Sequence, residues 1–162
     1  MERLWAPWRL EYITGEKTEG CIFCEFPKRN DDEKYLILHR GARVFVIMNA
    51  FPYSNGHLLI APYRHTGSFS ELTGEENHET MRLAQRACEI LHEIAAPDGF
   101  NVGLNIGAAA GAGIADHLHM HVVPRWIGDT NFMPVLGETR VIPEALRTTY
   151  AKLRPLFDRL RR

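Results

Sequence analysis

The sequence predicts an α+β fold in which an antiparallel sheet of about five strands carries one main helix and a C-terminal helix. Three observations predict it. Two short, β-branched apolar runs flank a turn built from Pro52 and Ser54-Asn55-Gly56. One long segment repeats apolar residues at helical spacing, and a histidine-rich run alternates strictly with apolar residues before it meets a proline.

The elements follow in order. Arg43-Val-Phe-Val-Ile-Met-Asn49 and Gly56-His-Leu-Leu-Ile-Ala61 read as neighbouring antiparallel strands. Thr73-Gly-Glu-Glu opens the main helix, whose apolar face holds Met81, Ala84, Ala87, Cys88 and Leu91, and which ends near Ala95-Ala96-Pro97-Asp98-Gly99. Phe100-Asn-Val-Gly-Leu-Asn-Ile106 alternates as a strand. A small-residue loop, Gly107-Ala-Ala-Ala-Gly-Ala-Gly113, precedes the strand His117-Leu-His-Met-His-Val-Val123, which Pro124 ends. Pro143 through Arg162 reads as a final helix, interrupted by Pro155 and basic at its end, as the helix dipole favours.

The 162 residues fit one domain. An N-terminal arm runs through residue 30, irregular and pinned by Trp5, Trp8 and Tyr12; a core spans 35–125, and a C-terminal arm with its helix spans 126–162. Nineteen Lys and Arg against twenty Asp and Glu give a net charge of −1, which argues against a nucleic-acid partner. No apolar run has the roughly 20 residues of a membrane span, and the first residues lack the plan of a signal peptide. Three cysteines, two of them as Cys21-Ile-Phe-Cys24, make no secreted disulfide framework. These features place the chain in the cytoplasm.

Histidine positions carry the chemistry. In a strand, His117, His119 and His121 share one face while Leu118, Met120 and Val122 take the other. A neutral imidazole is a nucleophile, and a second beside it can hold a tautomer or move a proton. His-x-His on a strand also directs two ring nitrogens at one metal ion, so the spacing alone leaves nucleophile and ligand both open. Gly107, Gly111 and Gly113 permit positive φ, so the loop's amides can form an anion-binding nest beside the imidazoles. Cys88 reads as core; His39, His78 and His92 read as surface residues. Trp126, with Trp5 and Trp8, serves either to anchor the core or to pack over a cleft or partner.

His117-Leu-His-Met-His-Val-Val123 resembles the signature of the histidine triad (HIT) superfamily of nucleotide hydrolases and transferases. The block from Asn49 through Gly56-His57 to Pro62-Tyr-Arg-His65 is similar to the family's Asn, Pro-Gly-His and Pro-x-x-His block. Leu4-Trp-Ala-Pro-Trp-Arg9 and the run from Asp116 to Trp126, continuing to Gly128-Asp-Thr-Asn-Phe-Met-Pro134, resemble the prokaryotic branch that includes diadenosine tetraphosphate phosphorylases.

The resemblance implies that His119 attacks the α-phosphate and is nucleotidylated, that His121 binds phosphate and assists the leaving group, and that His57 orients the row. It implies that Asn49 contacts ribose, that Asn105 contacts the phosphate or leaving group, and that Gly111, Ala112, Gly113 and Ile114 bind phosphate through their backbone. Many relatives carry Gln and then Ser or Thr where Gly113 and Ile114 stand, so here the backbone must do more. It further implies a structural zinc ion on Cys21, Cys24, His65 and His117, with no metal needed for the chemistry, and a homodimer.

The activity so implied is cleavage of diadenosine tetraphosphate by inorganic phosphate to ADP and ATP. The alternatives are hydrolysis of dinucleoside polyphosphates or nucleoside phosphoramidates, a metal-dependent hydrolase that uses the histidine row as ligands, and a non-catalytic binder of adenine nucleotides.

Overall fold

A computed structural model describes residues 20–129 and 142–161. Trp5, Trp8, Tyr12 and the stretch from Thr130 to Pro134 lie outside the described residues. A four-residue helix α1 (Ile22–Glu25) opens the described chain where irregular structure was expected. Five strands follow, β1 (Ile37–Arg40), β2 (Val44–Met48), β3 (Leu58–Pro62), β4 (Gly99–Leu104) and β5 (Met120–Arg125), with helix α2 (Gly74–Ala95) between β3 and β4 and helix α3 (Leu146–Asp158) last. The sheet order is β1-β2-β3-β5-β4, and every neighbouring pair is antiparallel.

Register sorts the side chains onto two faces. Val46 lies opposite Ile60, Ile60 opposite Met120, and Met120 opposite Leu104; these face α2. Phe45, Leu59 and His121 alternate onto the other face, where Phe23 of α1 packs against Phe45. All five residues of β2 and of β3 are buried, as expected of central strands covered on both sides.

Helix α2 starts at a complete capping box, with the Thr73 hydroxyl accepting from the Glu76 amide and the Glu76 carboxylate accepting from the Thr73 amide. One turn on, the buried Glu79 carboxylate accepts from the amides of Ala42, Arg43 and Val44 and so ties the β1–β2 turn to the helix. Gly41 is required there, because a Cβ would lie 2.7 Å from Glu79 Oε1 and from the Val44 carbonyl oxygen.

Four expectations need correction. His39 is buried, because a register shift between Ile37 and His39 sets it opposite Val46 on the helix-covered face. Met81, expected on the apolar face of α2, is half exposed, whereas Cys88 is partly buried and packs against the core as expected. The final helix begins at Leu146 and continues through Pro155, which sits on its exposed side where solvent can take the freed carbonyl. The β5 ladder begins only at Met120, so His117 lies in a bend and His119 in the irregular segment that leads into it. His78 and His92 are exposed as expected. Among the described residues, no helix is long and apolar enough to cross a membrane.

Candidate active site

His121 is placed by β5, opposite Leu59 and Gly103, and His119 is two residues upstream. His57 immediately precedes β3, and Pro62 at its end leads to His65. The triad is brought together as expected: the His119 and His121 ring centroids are 5.0 Å apart, and His117, His119 and His121 are 0%, 7% and 8% exposed. Burial pushes all three imidazoles down from their ordinary pKa, His121 to about 4 with help from His119, so the row is neutral at pH 7.

Hydrogen bonds then fix the tautomers. His119 Nδ1 lies 2.8 Å from the His117 carbonyl oxygen, which can only accept, so Nδ1 carries the proton and Nε2 keeps its lone pair. The Tyr53 amide donates to His57 Nδ1 at 3.0 Å, which puts the His57 proton on Nε2. His57 Nε2 therefore donates to His121 Nδ1 at 2.9 Å, and His121 carries its own proton on Nε2. That Nε2 is buried and has no hydrogen-bond partner among the described residues. The row thus presents one unprotonated nitrogen, on His119, beside one unpaired donor, on His121.

His117 points its chemistry elsewhere. Its Nε2 donates to the Pro62 carbonyl oxygen at 2.8 Å, leaving a lone pair on Nδ1. That atom lies 3.3 Å from Cys21 Sγ, 3.5 Å from Cys24 Sγ and 3.2 Å from His65 Nδ1, and Cys24 Sγ is 3.3 Å from His65 Nδ1. These four donor atoms all lie within 4.8 Å of one another, and together they form a Cys2His2 cluster able to hold a metal ion.

Other expected residues are placed less directly. The Asn49 side chain faces His57 Nδ1 at 3.2 Å and accepts from the Phe51 amide, so both ends of its amide are engaged within the loop. Asn105 follows Leu104, which pairs with Met120; continuing that register sets Asn105 opposite His119. In the glycine loop Gly107 and Gly111 take positive φ, and Gly113 does not. The Gly111 and Ala112 amides are used inside the loop, whereas the Gly113 and Ile114 amides have no partner among the described residues.

Sequence reasoning missed two aromatic residues. Phe23, between the paired cysteines, packs its ring 4.8 Å from that of His119 and 5.2 Å from that of His117. Tyr53 stacks nearly parallel to His121 at 5.7 Å. Position was the available signal: one lies inside Cys-x-x-Cys and the other four residues before His57.

Known proteins resemble this chain in sequence and in fold. The HIT domain family model matches residues 31–126. AP-4-A phosphorylase of Mycobacterium tuberculosis is 40% identical over 158 residues, covering 92% of this chain and 80% of that protein. Bis(5'-adenosyl)-triphosphatase of Dictyostelium discoideum is 32% identical over 121 residues, covering 70% and 80%. Among solved structures, a Zn-bound histidine triad family protein from Mycobacterium smegmatis superposes with a TM-score of 0.69 at 27% identity, covering 87% of this chain and 95% of that one. With a family model spanning its core and a relative at this identity, the chain belongs to the HIT domain family.

Proposed function

We propose that this protein cleaves diadenosine tetraphosphate with inorganic phosphate, yielding ADP and ATP through a nucleotidyl-histidine intermediate on His119. The observation that carries the chemistry is the bond from His119 Nδ1–H to the His117 carbonyl, which leaves Nε2 unprotonated in a neutral, buried ring. The phosphorylase assignment comes from the likeness to the mycobacterial AP-4-A phosphorylase.

His119 Nε2 attacks the α-phosphorus as the bridging P–O bond breaks and ATP departs with that electron pair. Phosphate oxygen then attacks the same phosphorus, the P–N bond breaks, its electrons return to Nε2, and ADP leaves. His121 Nε2–H and the Gly113 and Ile114 amides are the donors suited to charge growing on the phosphoryl oxygens. Asn49 and Asn105 flank this site as candidate contacts to ribose and leaving group.

With water as acceptor the same residues would release AMP, the reading favoured by likeness to the triphosphatase. Product analysis separates the two. ADP plus ATP formed only with phosphate supports the phosphorylase; AMP plus ATP regardless of phosphate overturns it.

The Cys21, Cys24, His65 and His117 set fits zinc. Zn–S bonds of about 2.3 Å and Zn–N bonds of about 2.0 Å in a tetrahedron place nitrogen and sulfur ~3.5 Å apart and two nitrogens ~3.3 Å apart. The cluster's N···S distances of 3.3–3.5 Å and N···N distance of 3.2 Å match. Four protein ligands would close the coordination sphere, so the ion would serve to tie α1 to the segment before β5. A hydrolase with the row itself as ligands is disfavoured, because the His117 lone pair faces the thiols and, among the described residues, the cluster able to hold a metal ion includes neither His119 nor His121. A homodimer is supported by β4 lying at the sheet edge with Val102 and Ile106 exposed. A reducing compartment such as the cytoplasm suits the three free thiols.

A further inference from the structure

We propose that Phe23 is a positioning residue that transmits the state of the Cys21, Cys24, His65 and His117 cluster to His119. The inference rests on the proposed roles of that cluster as a metal site and of His119 as nucleophile.

Helix α1 is a single turn, held from within by the Cys24 and Glu25 amides donating to the Cys21 carbonyl. So short a helix has little stability of its own, and its orientation depends on what its side chains grip. Cys21 and Cys24 grip the cluster on one side. Phe23 projects between them into the protein, 1% exposed, and its ring lies against Phe45, His117 and His119.

Among the described residues the His119 ring makes one hydrogen bond, from Nδ1–H to the His117 carbonyl. A single bond at one nitrogen leaves the ring plane free to swing about it. The plane is set by what packs on it, Phe23 at 4.8 Å with a 34° tilt and His121 at 5.0 Å with a 52° tilt. The cluster therefore reaches His119 twice, by the backbone of His117 and by the Phe23 ring. Were an ion shared by the two thiols removed, Cys21 and Cys24 would lose their grip, Phe23 would shift, and Nε2 would lose its alignment on phosphorus. A misplacement of about 1 Å costs on the order of a hundredfold in rate.

The test uses the full chain, wild type and Phe23→Leu, with zinc bound and after chelation. Phe23→Leu keeps an apolar side chain and removes the ring. The account expects Phe23→Leu to retain its zinc, to keep KM within about twofold, and to lose roughly ten- to a hundredfold in kcat. A readout independent of turnover is the NMR signal of the His119 ring carbon-bound protons. In wild type it should move on chelation; in Phe23→Leu it should start displaced and respond to chelation by less than half as much.

A zinc-loaded Phe23→Leu with unchanged kcat, or with an undiminished His119 response to chelation, overturns the inference. Wild-type protein without zinc would overturn it together with the metal reading. Absence of a nucleotidyl adduct on His119, with the NMR coupling intact, would remove the proposed reaction and leave the coupling standing.

Discussion

The His57 ring donates from Nε2 to His121 Nδ1 across 2.9 Å, and the Tyr53 amide holds the tautomer that makes this donation possible. Without His57, His121 can take its other tautomer and turn its lone pair toward the phosphate. His57→Ala should lower kcat by about ten- to a hundredfold with a smaller effect on KM. His57→Gln, which can still donate, should recover part of the loss. Steady-state kinetics of both variants check this, and equal losses in the two would contradict it.

Replacing Glu79 should cost stability. Three amides of the β1–β2 turn donate to its carboxylate, and that of Val44 is buried with it. Glu79→Ala strands the buried Val44 amide and leaves the other two to solvent, for an expected loss of about 1–3 kcal/mol in urea unfolding. A loss below about 0.5 kcal/mol, the size of an ordinary surface change, would contradict the role.

Acid should weaken the start of α2. The Arg64 guanidinium, 2.7 Å away, holds the Glu76 carboxyl down from 4.5 to about 2, and the Thr73 cap bonds act in the same sense. A depressed folded-state pKa means that this stabilisation is complete above 4.5 and is lost as pH falls toward 2. Glu76→Gln should therefore be less stable than wild type at pH 7, by about 1–3 kcal/mol given the partial exposure of Arg64. The difference should shrink as pH falls from 4.5 toward 2. Urea titrations at stepped pH measure it, and a constant difference across the range would contradict the linkage.

Metal content gives a fourth prediction. Purified protein should carry about one zinc per chain by elemental analysis, and Cys24→Ser should bind it far more weakly and melt at lower temperature. Zinc-free wild-type protein with an unaltered melting temperature on adding zinc would contradict the site.

Much of this was legible in the sequence because alternation is local. His117, His119 and His121 announce a common face by their spacing, and Thr73 with Glu76 announces the start of α2. What stayed hidden depends on partners distant in sequence. The β1 bulge that buries His39 is a property of pairing with β2, and no residue in Ile37–Arg40 marks it. Phe23 looks like any core aromatic until the fold brings it beside His119, 96 positions away in sequence. Spacing alone left nucleophile and ligand open within the triad, and it was the family resemblance that implied attack by His119 and a place for His117 among the metal ligands. The carbonyls of Pro62 and His117 are consistent with that division, the first turning the His117 lone pair toward the thiols and the second leaving the His119 Nε2 lone pair available.

The central claim is that His119 becomes covalently nucleotidylated, and rapid quenching followed by peptide mass spectrometry tests it most directly. Wild-type protein mixed with diadenosine tetraphosphate in the absence of phosphate should carry one adenylyl group on the peptide containing His119, and adding phosphate should discharge it as ADP. His119→Ala should show neither adduct nor turnover. Normal turnover by His119→Ala, or an adduct on a different residue, would contradict the account.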